Sequence, residues 1–208
     1  FAQNNDSNTL QLGNSNYSGV NKKGSYQDAD VRQQGNSNVS SVSQGINPSA
    51  SSASNHNKAD VKQIGNLNNA FVSQNNLNNE AYQVQTGNSN QATIWQDQLT
   101  PQPGNGGDWA KQLQTGNSNK ATIDQGTSGN EMPTGLPFNA EALGFVAAIT
   151  VPFMPHGDND ALQTQSGDFN IAYTSQGGEL NDSKITQNST AVALSGANKA
   201  SHYQYGKD

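Results

Sequence analysis

The chain contains no cysteine, which excludes a disulfide framework and thiol chemistry. That absence also suits an exported chain that must avoid oxidative cross-linking. Charge is scarce: 12% of 208 residues are charged, the net charge is -6, and there is no run of Lys or Arg. A protein tracking a phosphate backbone needs a basic stripe, so nucleic acid is not an expected partner. Nor is there a run of ~20 apolar residues that would span a membrane. The longest apolar stretch, around 145–154, is broken by Thr150 and Pro152. No signal peptide is visible, and Phe1-Ala2-Gln3 reads as the start of a mature chain behind a small-residue cleavage site.

Hydrophobic residues make up only 31% of the chain and mean hydropathy is -0.82, too little for an ordinary apolar core. Low hydrophobicity implies disorder when charge is high, and here charge is low. What the chain has instead is amide. It carries 30 Asn and 22 Gln, so 52 of its residues end in a group that both donates and accepts hydrogen bonds. Amide-rich, charge-poor sequence fits stacked β-structure held by side-chain ladders.

These amides recur in a fixed phrase. Gln11-Leu12-Gly13-Asn14-Ser15-Asn16 returns as Gln33-Gln34-Gly35-Asn36-Ser37-Asn38, again at 63–68, 85–90 and 114–119, and weakly at 165–170. Where nothing intervenes the step is 22 residues, as from Gln63 to Gln85. A period of that length predicts a solenoid of stacked repeats.

Each unit divides into two halves of the form Asn-x-Ala-x-x-x-Gln. The clearest are Asn57/Ala59/Gln63, Asn68/Ala70/Gln74, Asn79/Ala81/Gln85 and Asn90/Ala92/Gln96. The marked offsets (0, 2 and 6) are all even, so these side chains share one face of a β-strand. The remaining even position is often β-branched: Val31, Val42, Val61, Val72, Ile94, Ile123, Thr174 and Ile185. Odd positions such as Asp28, Asp30, Arg32, Lys58, Asp60 and Lys62 are more polar and are expected to face solvent. Between the halves Gly13, Gly35, Gly65, Gly87, Gly116 and Gly167 supply positive φ, with Asn and Ser capping the turn.

The expected fold is therefore an all-β solenoid of about seven two-strand rungs in one domain. The rungs are placed at 5–26, 27–56, 57–78, 79–107, 108–158, 159–180 and 181–208. A buried unpaired amide costs ~1–3 kcal/mol, but amides stacked at ~4.8 Å satisfy one another. One expected ladder joins Gln11, Gln33, Gln63, Gln85, Gln114 and Gln165. Another joins Gln44, Gln74, Gln96, Gln125, Gln176 and Gln187. Asn38, Asn57, Asn68, Asn79, Asn90, Asn119, Asn170 and Asn181 complete the stacking set. Insertions at 45–56, 97–107 and 126–158 all follow the second strand of a rung and are expected to project from one edge, never from the Gly-Asn-Ser corner. Within the longest, residues 140–149 are predicted as a short helix, and its apolar side chains as a patch that packs on the outer sheet or on another filament.

No residue is nominated as catalytic, metal-binding or cofactor-binding. His56, His156 and His202 lie far apart and show no ligand spacing. His156-Gly157-Asp158-Asn159-Asp160 reads as a solvated loop entering a strand. An outward column of Phe71, Thr93, Thr122 and Tyr173, with Trp95 close by, reads mainly as sheet stabilisation, with sugar or dye binding as the alternative.

The half-repeat Gln-x-Gly-x-x-Asn-x-Ala-x-x-x-Gln resembles the curlin repeat of bacterial curli subunits. Its copies stand at Gln33/Gly35/Asn38/Ser40/Gln44, Gln63/Gly65/Asn68/Ala70/Gln74, Gln85/Gly87/Asn90/Ala92/Gln96, Gln114/Gly116/Asn119/Ala121/Gln125 and Gln165/Gly167/Asn170/Ala172/Gln176. The resemblance implies a secreted subunit that polymerises with itself as functional amyloid in an extracellular biofilm matrix, mediating cohesion and adhesion, with dedicated export and nucleator partners. A minor, nucleating subunit of such a fibre fits the same repeat. The contrasting expectation is a monomeric solenoid that binds a matrix polysaccharide or a surface through its insertion edge.

Overall fold

A computed structural model describes residues 4–45, 55–96, 106–126, 157–190 and 198–207. The described residues form fourteen strands and no helix. Seven make the first sheet: β1 (Asp6–Leu12), β3 (Asp28–Gln34), β5 (Lys58–Ile64), β7 (Glu80–Thr86), β9 (Trp109–Thr115), β11 (Asp160–Gly167) and β13 (Asp182–Ser189). The other seven make the second sheet: β2 (Tyr17–Lys22), β4 (Val39–Gln44), β6 (Asn69–Gln74), β8 (Gln91–Gln96), β10 (Lys120–Gln125), β12 (Ile171–Glu179) and β14 (Lys199–Lys207). The chain alternates between the sheets, so each odd–even pair is one rung of the expected β-solenoid.

All strand pairings are parallel, and the register follows the repeat. Gln33 opposes Gln11 and Gln63, and Ala121 opposes Ala92 and Ala172. The even positions face inward, as period-two geometry requires. Ala29, Ala59, Ala81, Ala110 and Ala161 on one sheet, with Ala70, Ala121 and Ala172 on the other, are fully or almost fully buried. Val31, Val42, Val61, Val72, Ile94 and Ile123 fill the space beside them. Alanine lets the layers approach closely, and parallel sheets need both inner faces covered.

The outer faces differ. On the first sheet the odd positions are exposed or half-buried, as expected, with Asp30 and Arg32 paired at 2.7 Å. On the second sheet the expectation of a solvated outer face fails over three rungs. Thr93, Trp95, Thr122, Asp124, Ile171, Tyr173 and Ser175 are all buried. Aromatic rings pack here in place of charges: Phe71 against Trp95 at 4.9 Å and Tyr173 against Tyr203 at 5.5 Å. The column of Phe71, Thr93, Thr122 and Tyr173 is thus not an open platform for a sugar or dye.

Residues 45–56, 97–107 and 126–158 join β4 to β5, β8 to β9 and β10 to β11, so all three lie where the chain returns from the second sheet to the first. The flanks rejoin the stack at once: Asn55 bridges Ser25 and Leu77, and Gly157 bridges Gly106 and Glu179. The predicted helix at 140–149 and the apolar patch around it lie outside the described residues. One expectation about the other corner is corrected. In the last rung the connection from β13 to β14 is lengthened, so the Gly-Asn-Ser corner does admit extra residues, at the end of the stack.

Candidate functional site: the amide ladders

The inward glutamines are joined rung to rung. In the first sheet Nε2 of Gln11 donates to Oε1 of Gln33 at 2.6 Å, and the chain of bonds continues through Gln63, Gln85, Gln114 and Gln165 to Gln187. In the second sheet Gln44 donates to Gln74 at 3.0 Å, followed by Gln96, Gln125, Gln176 and Gln204. Gln187 therefore belongs to the first ladder and not the second, where Gln204 takes the expected place. The reason is topological: Gln187 lies on β13, which pairs with β11 and sets it opposite Gln165.

From Gln33 to Gln187 in the first ladder and from Gln44 to Gln176 in the second, each amide nitrogen uses its other N–H across the solenoid. Gln63 donates to the carbonyl of Val39 at 2.9 Å, and Gln85 to that of Asn69 at 3.0 Å. From the opposite sheet Gln74 reaches the carbonyl of Lys58 at 2.9 Å, and Gln125 that of Trp109 at 3.0 Å. One side chain thus bonds along the stack and also staples the two sheets together. Fully buried polar groups are tolerated here because they are hydrogen-bonded.

A third glutamine ladder runs through the middle of the core. Gln83 donates to Gln112 at 3.0 Å, Gln112 to Gln163 at 3.1 Å, and Gln163 to the Thr174 hydroxyl at 3.0 Å. These residues occupy the even position held by Val31 and Val61 in earlier rungs. Where aliphatic gives way to amide, Oε1 of Gln83 is buried without a partner. Gln44 Oε1 is likewise unpartnered, because the residue beneath it on β2 is Lys22.

Asparagines hold both corners. At the first corner Asn38 donates Nδ2 to Oδ1 of Asn16, Asn68 to Asn38, Asn90 to Asn68 and Asn170 to Asn119. The direction is opposite to that of the glutamines: Asn donates toward the N-terminal rung, Gln toward the C-terminal one. At the second corner Gln27 and Asp108 interrupt a column of Asn5, Asn57, Asn79, Asn159 and Asn181. Asp108 Oδ1 accepts the backbone N–H of Asn159 at 2.9 Å and a side-chain N–H of the same residue at 3.0 Å, which a carboxylate does as well as an amide oxygen.

A further column sits outside, on the turns. Asn36, Asn66 and Asn88 each donate Nδ2 to Oδ1 of the residue one rung on (3.0–3.2 Å), and Asn117 closes on Asp168 at 3.1 Å. The middle Gln ladder and this turn column were not expected from the sequence. The recurrence of Gly-Asn-x-Asn at five of the six corners was the available signal for the second, since capping a turn requires only one of its two asparagines.

Glycine in this corner is required twice over. Gly87 has φ +118°, and a Cβ placed on it would lie 2.0 Å from the carbonyl oxygen of Gly116. Gly35, Gly65 and Gly116 repeat that overlap with the next rung.

The first and last rungs leave β1, β2, β13 and β14 with one strand neighbour each among the described residues. No family model, no curated protein and no solved structure matches this chain. The described histidines take local contacts: His56 stacks on Tyr26 at 4.7 Å, and Nδ1 of His202 meets the Ser183 hydroxyl at 2.7 Å. His156 lies outside the described residues. No long apolar helix is present among the described residues.

Proposed function

We propose that the chain is a structural subunit that stacks head to tail into an extracellular, curli-like amyloid fibre, acting by templated strand addition. The observation that carries this reading is that one inward ladder runs from the first rung to the last, a second from the second rung to the last, and both reach an open strand edge. An added copy placing β1 on β13 sets Gln11 over Gln187, whose amide faces onward. The same step sets Asn16 over Asn198 and Asp6 over Asp182. Parallel strands with exposed edges are templates for further pairing, and a heterologous contact that does not close forms a filament.

The fibre's partners on this reading are further copies of the chain, with export and nucleator proteins serving secretion and initiation. The junction carries two mismatches, the like charges of Asp6 over Asp182 and the placing of Lys22 over Gln204. The Lys22 ammonium donates to the Gln27 carbonyl at 3.1 Å, and burial lowers its pKa against the pull of Asp28 and Asp6. The test is fibre diffraction and electron microscopy of the purified chain over time. Filaments with a meridional ~4.8 Å reflection are expected. A chain that stays monomeric at high concentration overturns the reading.

A further inference from the structure

The outer face of the first sheet holds a cleft of about 460 Å³ lined by Asn78, Glu80, Gly107, Trp109 and Asp160. We propose that this cleft binds a polysaccharide of amino sugars carrying free amines, with Trp109 as the ring seat and Glu80 and Asp160 as the ammonium acceptors.

The three side chains are placed by strand register. Trp109 on β9 is the strand partner of Glu80 on β7 and of Asp160 on β11, so it stands between two carboxylate-bearing positions. Neighbouring strands are ~4.8 Å apart, which sets the two carboxylate-bearing backbones about 10 Å from each other. That spacing leaves room between the two strands for a group lying on the indole. It suits a flat ring seated on the indole with substituents reaching to either side.

The side chains around the cleft prepare it for a cation. The Tyr82 hydroxyl donates to Oε2 of Glu80 at 2.7 Å, which orients that carboxylate and leaves its other oxygen outward. Tyr82 in turn packs against Trp109 at 6.3 Å and steadies the indole. Neither Glu80 nor Asp160 has an ion-pair partner among the described residues. Lys58 stands over the Tyr82 ring, outside the cleft lining. Burial raises the Asp160 pKa, and Asp182 and Asp158 add to it. Gly107, at φ +84°, leaves the cleft floor without a side chain, and a Cβ there would meet Asp158 Oδ1 at 2.5 Å.

An indole face attracts both C–H edges and ammonium groups. A lysine side chain would use one carboxylate and leave the flat seat empty. A neutral sugar would use the seat and offer the carboxylates hydroxyl donors without the opposite charge, which makes the weaker contact. The amino sugar uses all three. The site faces sideways, whereas copies of the chain would add at strand edges, so the proposal does not depend on fibre formation.

The test is calorimetric titration of the full chain, both freshly purified and after prolonged incubation, with short glucosamine oligomers. Fully N-acetylated oligomers and oligolysine serve as competitors of different chemistry. The free-amine oligomers are expected to bind, with the acetylated ones at least about tenfold weaker, the size of one charge-assisted contact. Trp109→Ala and the shape-conserving pair Glu80→Gln and Asp160→Asn should each weaken binding about tenfold while the circular dichroism is unchanged. The conservative pair keeps the test sound if the alanine variant fails to fold. Absence of binding, equal binding of acetylated oligomers or oligolysine, or indifference to the conservative pair overturns the proposal.

Discussion

At the first corner, where a rung passes from the first sheet to the second, each turn of the inner rungs stacks directly on the next; at the second corner, where it returns, extra residues enter ahead of the ones that stack, Asn55, Gly106 and Gly157. In the first six rungs four residues separate Gln from Asn at the first corner, as in Gln85 to Asn90. Each of the inner glycines there lies against the carbonyl of the next rung with no room for a Cβ. The second corner uses four residues in its simplest form, 75–78, but twelve at 45–56, eleven at 97–107 and thirty-three at 126–158. All seven prolines fall in those three segments. Proline lacks the N–H that a stacked corner needs, and none stands among the described residues. The contrast shows that a corner tolerates change when its own backbone is not part of a column. The lengthened first corner of the last rung obeys the same rule, because no further rung of the chain stacks on it.

Breaking the first corner should have the largest effect. Gly87→Ala combines strained backbone, about 1–3 kcal/mol, with direct overlap on Gly116. Loss of at least about 3 kcal/mol is expected. A short Gly-Ser insertion between Asn88 and Ser89 should be comparably damaging, while the same insertion between Asn75 and Asn76 should be borne easily, since loop closure costs little with length. Thermal denaturation of the pair measures this, and equal melting points would erase the distinction between the corners.

Cutting a ladder comes next. Gln85→Leu strands the Nε2–H of Gln63 and the Oε1 of Gln114, at about 1–3 kcal/mol for each unpaired group. Urea unfolding should register the loss, and a stability unchanged by this substitution would mean the ladder contributes nothing net. Lys22→Gln acts in the other direction. It gives Gln44 Oε1 a donor and extends the second ladder to the end of the solenoid, for a gain of about 1 kcal/mol. Faster filament growth, followed by light scattering, is the expected readout, and slower growth would count against the proposed junction.

Excising 128–156 should change the stability of the rung stack by only about 1 kcal/mol, because Gly126-Thr127-Gly157-Asp158 then matches the four-residue second corner at 75–78. Hydrogen exchange on β9 to β12 would show whether their strand bonds persist. The smallest effect concerns pH. Burial raises the pKa of both Asp60 and Asp160, with Asp30 adding to the first and Asp182 and Asp158 to the second. The folded chain then holds these protons more tightly than the unfolded one. Their contribution to stability is complete below the ordinary aspartate pKa of about 3.9 and is lost as pH rises through the raised folded values. A modest rise in melting temperature from pH 7 toward pH 4 is expected, and Asp160→Asn should remove part of it. A steady fall over that range would show that other carboxylates dominate.

The sequence carried most of this architecture because period, strand parity and Gln spacing report one geometry at three scales. Gln33, Gln63 and Gln85 stand in line because equal steps along a solenoid are positions directly above one another. What escaped was whatever the period leaves open. Gln187 follows the spacing of the first ladder, yet the elongated segment after it disguised the partner of Gln176, which is Gln204. Gln83, Gln112 and Gln163 were not recognised as a column because an amide in an aliphatic position looks like an exception until its neighbours repeat it. The burial of Thr93, Thr122 and Tyr173 depends on what packs over a sheet, and no alternation of residues within a strand reports that.

The amides of the glutamine ladders all point one way, and those of the inner corner asparagines point the other. An arriving copy placed upside down would meet carbonyl with carbonyl and N–H with N–H at every inner column at once. Each clash is minor alone, but they occur together and cannot be relieved singly. If copies stack as proposed, the interior would act as a proofreader: a misoriented arrival would find no partial fit to linger in and would leave before the next copy could trap it.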